Sequence, residues 1–328
     1  LASDEKVKEL TQKLLDGVKQ TFESGNYKKY LEFVSTFHDY SLRNTILILA
    51  QKPNASLVAG FESWKKRSRY VKRGEKGIAI FAPSKVKQKK NVPVYDEEGS
   101  QKFYPDGSPV KEEKELTFIK FFVTNVFDVS QTDGEPLPQI CNELQGTVDD
   151  YEKIFAAVKN ISPFKIEFEP IYTGSKGYCD YDHSRIAIKM GMSNEQIIKT
   201  LIHEFAHATL HNNSEKSREQ KEIEAESIAF IVSNYLGVDT STYSFDYVAN
   251  WSQGMEIEQL QTVLENIQSA ANQIINSIHE QFQTLEKVEA VQEQSSENLQ
   301  ERLNQAAEKS NGQNQDKEML NFEKRISK

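Results

Sequence analysis

The chain has 328 residues, 38% of them hydrophobic, and a net charge of −9 from 49 acidic and 40 basic side chains. That length has room for two domains plus extensions, and two unpaired-looking cysteines, Cys141 and Cys179, exclude a disulfide framework and fit a reducing cytosol. The start, Leu1-Ala2-Ser3-Asp4-Glu5-Lys6, lacks a signal-peptide pattern and the apolar run at 46–50 is far too short to cross a bilayer, so a cytoplasmic protein with no membrane partner is expected.

Apolar residues at Val7, Leu10, Leu14, Leu15, Val18 and Phe22 recur at helical spacing and predict a helix over 4–23. A second, over 26–50, carries Tyr30, Phe33, Phe37, Tyr40, Leu42, Ile46, Leu47 and Leu49, with Gly25 between the two. A basic stretch follows: from residue 65 to 90 there are eleven Lys and Arg against one acid, Glu75. Trp64, Lys65, Lys66, Arg67, Arg69, Tyr70, Lys72, Arg73 and Lys76 interleave cations with aromatics. Cations neutralise phosphates and rings stack on bases, so this stretch predicts a single-stranded nucleic-acid surface whose binding weakens with salt. Trp64 reads equally as a core residue, and a lysine run reads equally as a plain solvated face. Strand patterns at 78–83 and 116–124 bracket an excursion at 91–113, read as a hairpin or loop. Helices followed by strands give an α+β fold class. The Pro/Gly/polar segment 131–145 marks a domain boundary.

Residues 203–207 read His-Glu-Phe-Ala-His within an apolar run, and Ser193-x-x-Gln196 has the form of a capping box at its start. On a helix His203 and His207 share one face, where both rings can converge on one zinc ion, with Glu204 flanking the first. The surrounding residues are apolar on several faces, which describes a buried helix. Burying these groups without partners is costly, and a metal removes the penalty. The plain alternative is a surface helix that happens to carry them. A catalytic zinc needs a third protein ligand and an open fourth position. A histidine six residues after His207 would complete one common pattern, but position 213 is Asn213, and His211 lies too far along the axis to share the ion. The acidic helix at 222–236 is the better source. Glu222, Glu226, Ala229 and Ser233 share a face, so Glu222 is assigned as third ligand and Glu226 as hydrogen-bond partner of a ligating histidine. Glu224 competes for the ligand role from about 160° around that helix, and a solvated charge in an acidic helix start is the alternative for Glu222. An ion so held acidifies a water, Glu204 is placed as general base, and the expected reaction is peptide-bond hydrolysis on an unknown protein substrate. The alternating segment at 184–189 is expected beside the metal helix as a sheet edge that an extended peptide could join.

Ile257, Leu260, Leu264, Ile267, Ala271, Ile274 and Ile278, then Leu285 and Val288, predict a long amphipathic helix over 251–290. It either docks in cis, the favoured reading, or self-associates with a second chain as a coiled coil. Residues 291–328 are expected to form a polar, mobile tail.

The run from Asp39-Tyr40-Ser41-Leu42-Arg43-Asn44 to Pro53, followed by Trp64 and Arg73-Gly74-Glu75-Lys76-Gly77 and closed by Asn125-Val126-Phe127-Asp128-Val129-Ser130-Gln131-Thr132, resembles the N-terminal single-stranded-DNA-binding domain of ArdC-like antirestriction proteins. The His203–His207 helix and the acidic helix behind it resemble the zincin-like metallopeptidase domain that follows in that family, itself similar to the ImmA/IrrE type of regulatory peptidase. The resemblance covers roughly residues 5–240, and the order of its motifs is its most specific feature. It implies a DNA-binding domain at 1–130, a linker at 131–145 and a zincin-like domain at 146–250 holding one Zn2+. It further implies a protein of mobile elements that binds single-stranded DNA and protects it from restriction during conjugative transfer. Asn44, Trp64, Arg73, Lys76 and Gly77 would then lie on or near the DNA surface, although Asn44 reads equally as a helix-end hydrogen bonder and Gly77 as a turn glycine. Two alternatives stand beside this: a non-catalytic DNA-binding protein with a structural zinc, and a regulatory peptidase that cleaves a repressor.

Overall fold

Helix α1 (Ala2–Thr21) is followed by α2 (Asn26–Thr36), which starts at Gly25 with φ 77°, in the left-handed region that a side chain disfavours. The computed structural model describes residues 2–23, 25–137, 148–284 and 287; Cys141, much of the expected linker, Leu285, Val288 and the expected tail lie outside them. The second predicted helix is two helices, because the chain turns at residues 38–41 before α3 (Leu42–Gln51). The turn is tethered on both sides. The Tyr40 hydroxyl donates to the Val58 carbonyl (3.0 Å) and the Tyr40 carbonyl accepts from Gln268 (2.6 Å), contacts that a straight helix would pull apart.

β1 (Val58–Gly60), α4 (Phe61–Lys66) and β2 (Arg69–Val71) lead into two long strands, β3 (Ile78–Pro93) and β4 (Lys111–Asp128). These pair antiparallel in one unbroken register from Ile78↔Val126 to Pro93↔Lys111, in a sheet of order β1-β4-β3. The expected excursion at 91–113 starts and ends in this ribbon, at 91–93 and 111–113, and between them folds back through the bridges Tyr95↔Gln101 and Phe103↔Pro109, as a hairpin-like loop. Lys87–Glu115 (2.7 Å) and Lys89–Glu113 (3.2 Å) pair across the ribbon. The outer edge of β3 is closed near the core by two side-chain amides. Gln51 donates to and accepts from the backbone of Ala79 (2.9 and 3.0 Å), and Asn44 does the same with Phe81 (2.9 and 3.0 Å).

At the end of β4 the buried Asp128 carboxylate accepts from the backbone N–H of Ser56 (2.8 Å), Leu57 (3.1 Å) and Ser130 (3.0 Å). Burial pushes this carboxyl up, but those hydrogen bonds outweigh it and hold it below the usual carboxylate range. Asp128→Ala is expected to cost about 2 kcal/mol, read from the urea midpoint. Because the folded pKa is the lower one, the stabilisation is complete above the unfolded value of about 4 and is lost as pH falls through the folded pKa. The gap between variant and parent should narrow on acidification. β5 (Thr132–Gly134) then pairs with β2, so the first residues of the expected linker belong to the N-terminal half.

After α5 (Val148–Ile161) come β6 (Lys165–Glu169), β7 (Gly177–Asp180) and β8 (Arg185–Lys189), in a sheet of order β6-β8-β7. The strand expected at the edge is the central one: Ile186, Ala187 and Ile188 are all fully buried, so both faces of β8 are covered. The edge strands are β6 and β7. Helices α6 (Asn194–Leu210) and α7 (Arg218–Tyr235) are each capped by a serine, Ser193 accepting from the Gln196 N–H (3.4 Å) and Ser217 from that of Gln220 (3.2 Å). Gly237, at φ 71°, stops α7. α8 (Asp246–Trp251) and α9 (257–284) complete the described chain.

Helices from both halves share one apolar core, including Tyr30 and Leu31 of α2, Ile228 and Ile231 of α7, and Leu264 and Ile267 of α9. The Tyr27 hydroxyl meets the Ser227 hydroxyl at 2.9 Å, and Gln268 donates to Thr45 at 2.9 Å. Leu260, Leu264, Ile267, Ala271, Ile274 and Ile278 are buried in cis. The favoured reading, docking in cis, is what the described part of the C-terminal helix adopts. No described helix is long and apolar enough to cross a membrane.

Candidate metal centre and cation surface

Ala206 on α6 and Ala225 and Ala229 on α7 are fully buried, and α6 and α7 pack directly on each other. His203 and His207 stand one turn apart on α6, and Glu222 comes from α7. His203 Nε2 lies 3.1 Å from His207 Nε2, and Glu222 Oε2 lies 3.6 Å from the first and 3.7 Å from the second. Corners of a zinc tetrahedron with bonds of about 2.05 Å are about 3.3 Å apart, so the triangle has the size a divalent ion needs. Two imidazole nitrogens and one carboxylate oxygen also suit such an ion chemically, and these three are the donors that could hold one among the described residues.

Both rings have their second nitrogen occupied. His203 Nδ1 faces Glu226 Oε2 at 3.1 Å, the contact expected of Glu226. His207 Nδ1 faces His211 Nδ1 at 2.9 Å, and His211 Nε2 faces Glu224 Oε2 at 3.0 Å. Glu224, the competing ligand candidate, is thus turned away from the triangle and fully buried, where Lys216 (2.7 and 2.9 Å) and Gln220 (3.0 Å) complete its contacts. No spacing rule brings His211 and Glu224 into the site; only the packing of α6 on α7 does.

Burial alone would lower the His203 pKa, but its contacts with Glu222 and Glu226 outweigh this and raise it to about 10. The same contacts from His203 and His207 hold Glu222 well below the usual carboxylate range. Glu204 behaves in the opposite way: burial pushes its carboxyl up, and His203 and His207 offset only part of the rise. That is the direction a general base requires.

Gly177 brings β7 against this carboxylate. A Cβ there would lie 2.7 Å from Thr200 Cγ2, 2.9 Å from the Ala187 carbonyl oxygen and 3.3 Å from Glu204 Cγ. Two cavities, of about 410 and 560 Å3, are both bounded by Ser175, Gly177, His203 and Glu204. One extends to Glu226, Lys199 and Tyr243, the other to Glu222, Tyr181 and Arg218. Cys179 borders the second as a free, half-buried thiol, and burial pushes its pKa up to about 12, in keeping with an inert small side chain.

The cation stretch divides in two. Lys65, Lys66, Arg67, Lys72, Arg73 and Lys76 are exposed, and the Tyr70 ring is 59% exposed. Phe61, for which no sequence signal stands out, is 53% exposed at the start of α4. Three expected DNA-contact residues are corrected. Trp64 is fully buried and its indole N–H donates to the Phe127 carbonyl (2.8 Å), so it has no face for a base. Arg69 spends its guanidinium on Thr132 Oγ1 (2.9 Å) and on the carbonyls of Thr132 (3.1 Å), Gly134 (3.3 Å) and Glu135 (2.6 Å), fastening β2 to β5. Asn44 spends its amide on β3, as described. Gly77, also expected near DNA, packs where a Cβ would lie 2.7 Å from Asn125 Cβ, so close approach explains the glycine.

Residues 4–127 match the family described as the N-terminal domain of anti-restriction factor ArdC. That N-terminal segment is ArdC-like. An uncharacterized protein of Bacillus anthracis, pXO2-81, is 27% identical over 313 residues, which cover 86% of this chain and 53% of the relative. The chain thus spans about half the length of that curated relative. Crystal structures of the antirestriction ArdC protein from the R388 plasmid, one metal-free and one with Mn(II) bound, align with a TM-score of 0.44 at 20% and 19% identity. The alignments cover 74% of this chain and 85% and 84% of those chains. At that TM-score the likeness places no residue and no metal here. The matched segment contains the cation surface, whereas His203, Glu204, His207 and Glu222 lie beyond it and stand on their own geometry.

Proposed function

We propose that this chain is a metal-dependent endopeptidase, with zinc as its ion, coupled to a single-stranded-DNA-binding domain that serves antirestriction on mobile-element DNA. The observation that carries the peptidase reading is a buried Glu204, its pKa raised, beside the His203–His207–Glu222 triangle where two cavities meet. Two imidazoles and a carboxylate suit zinc better than a harder ion that prefers oxygen. When bound, the ion supplies Lewis acidity to a water and to a carbonyl oxygen. Glu204 takes the water's proton on a carboxylate oxygen and returns it to the leaving nitrogen. Of the two edge strands, β7 is the one that Gly177 brings beside Glu204, and its outer edge offers backbone groups to an extended peptide. A purely structural ion is the weaker reading, since Leu201, Ile202, Ile223 and Ile228 already join α6 and α7 in one apolar core. The exposed cations and Tyr70 support the DNA-binding half.

Loaded with zinc, the full chain is expected to cut internal bonds in unfolded protein and in a randomised peptide library, and to stop when a chelator removes the ion. An uncut library at stoichiometric zinc would overturn the peptidase reading.

A further inference from the structure

Behind the triangle lies a second set of polar side chains that the proposed chemistry does not use. His211 is 1% exposed and Glu224 is fully buried, with Lys216 and Gln220 closing around the carboxylate. A buried carboxylate and imidazole cost free energy unless every polar atom is matched, and apolar side chains would hold two helices together as well. We infer that Glu224 and His211 form a positioning relay that sets the proton on His207 and aims its Nε2 lone pair at the ion. The inference rests on the metal reading above.

Proton bookkeeping fixes the direction of the relay. Glu224, ionised beside the Lys216 ammonium, can only accept, so the proton in the 3.0 Å contact belongs to His211 Nε2. A neutral His211 then offers a lone pair at Nδ1, and the proton in the 2.9 Å contact belongs to His207 Nδ1. His207 Nε2 is left without a proton, as a metal ligand must be. On the other ring Glu226 achieves the same in one step, accepting from His203 Nδ1 at 3.1 Å. Both anchoring carboxylates sit on α7, two residues apart and so on different sides of the helix. Glu224 therefore reaches the site only through an intervening imidazole, and that is the place His211 fills.

Nitrogen-15 spectra of histidine-labelled, zinc-loaded full-length protein should find protons on His207 Nδ1 and His211 Nε2. A proton on His211 Nδ1 or on His207 Nε2 would overturn the relay, and this test needs no variant. His211→Leu keeps bulk but drops both contacts, and should raise the zinc dissociation constant about 10- to 100-fold. His211→Gln can accept from His207 with its oxygen and donate to Glu224 with its nitrogen, and should restore most of the affinity. Zinc binding by His211→Leu at parental strength would overturn the relay. Failure of the parent itself to bind zinc would instead overturn the metal reading, and the relay with it.

Discussion

Glu204→Gln is expected to lower kcat for peptide cleavage about 10²- to 10⁴-fold, the usual worth of a general base, while zinc binds as in the parent. The substitution keeps shape and removes only the ability to take a proton. Glu204 is absent from the donor triangle, so the ion has no reason to leave. The parent's rate should also rise with pH through the raised Glu204 pKa, because the base acts only when ionised. That limb should vanish in the variant. Steady-state cleavage from pH 4 to 8, with equilibrium dialysis for zinc, reads both effects. Parental turnover in Glu204→Gln would remove this residue from the chemistry, and loss of zinc would make it a ligand.

Replacing Lys65, Lys66, Lys72 and Arg73 together by glutamine is expected to weaken single-stranded DNA binding and flatten its salt dependence. Each phosphate contact on a single strand contributes about 0.7 to the slope of log affinity against log salt, so four lost contacts should reduce the slope by about 3. Tyr70→Ala should cost about 1–3 kcal/mol if the ring stacks on a base, with the salt slope unchanged. Arg69→Gln provides the contrast: its guanidinium is spent on β5, so the variant should lower stability and leave the slope alone. Fluorescence anisotropy of a labelled oligothymidine from 50 to 300 mM salt separates these outcomes. An unchanged slope in the fourfold variant would move the DNA to another face.

The candidate triangle is legible in the sequence because one-turn spacing puts His203 and His207 on one helix face, and because Glu222 shares a face with Glu226, Ala229 and Ser233 on the next helix. His211 and Glu224 are not legible in that way. Helical geometry puts the first beyond the ion and the second away from Glu222, and only the close approach of α6 and α7 shows that they meet behind His207. Trp64 illustrates a different ambiguity. Its position among cations fits stacking on a base, yet the indole N–H finds the Phe127 carbonyl and the ring is enclosed. The ribbon shows a third kind. Lys89 and Lys90 lie opposite Glu115 and Lys114 on β4, so strand periodicity carries no signal in that outer stretch, while cross-strand pairing sets the structure. In β8 the alternation is real, but burial of Ile186, Ala187 and Ile188 places it at the centre of its sheet, a matter of neighbours that a single strand's pattern does not contain.

Anomalous diffraction at the zinc edge, from crystals of the full chain grown with one equivalent of zinc, bears most directly on the metal centre. One peak is expected between His203 Nε2, His207 Nε2 and a Glu222 carboxylate oxygen, at about 2.0–2.1 Å from each. A peak elsewhere, or none while the two imidazoles keep their present positions, would contradict it.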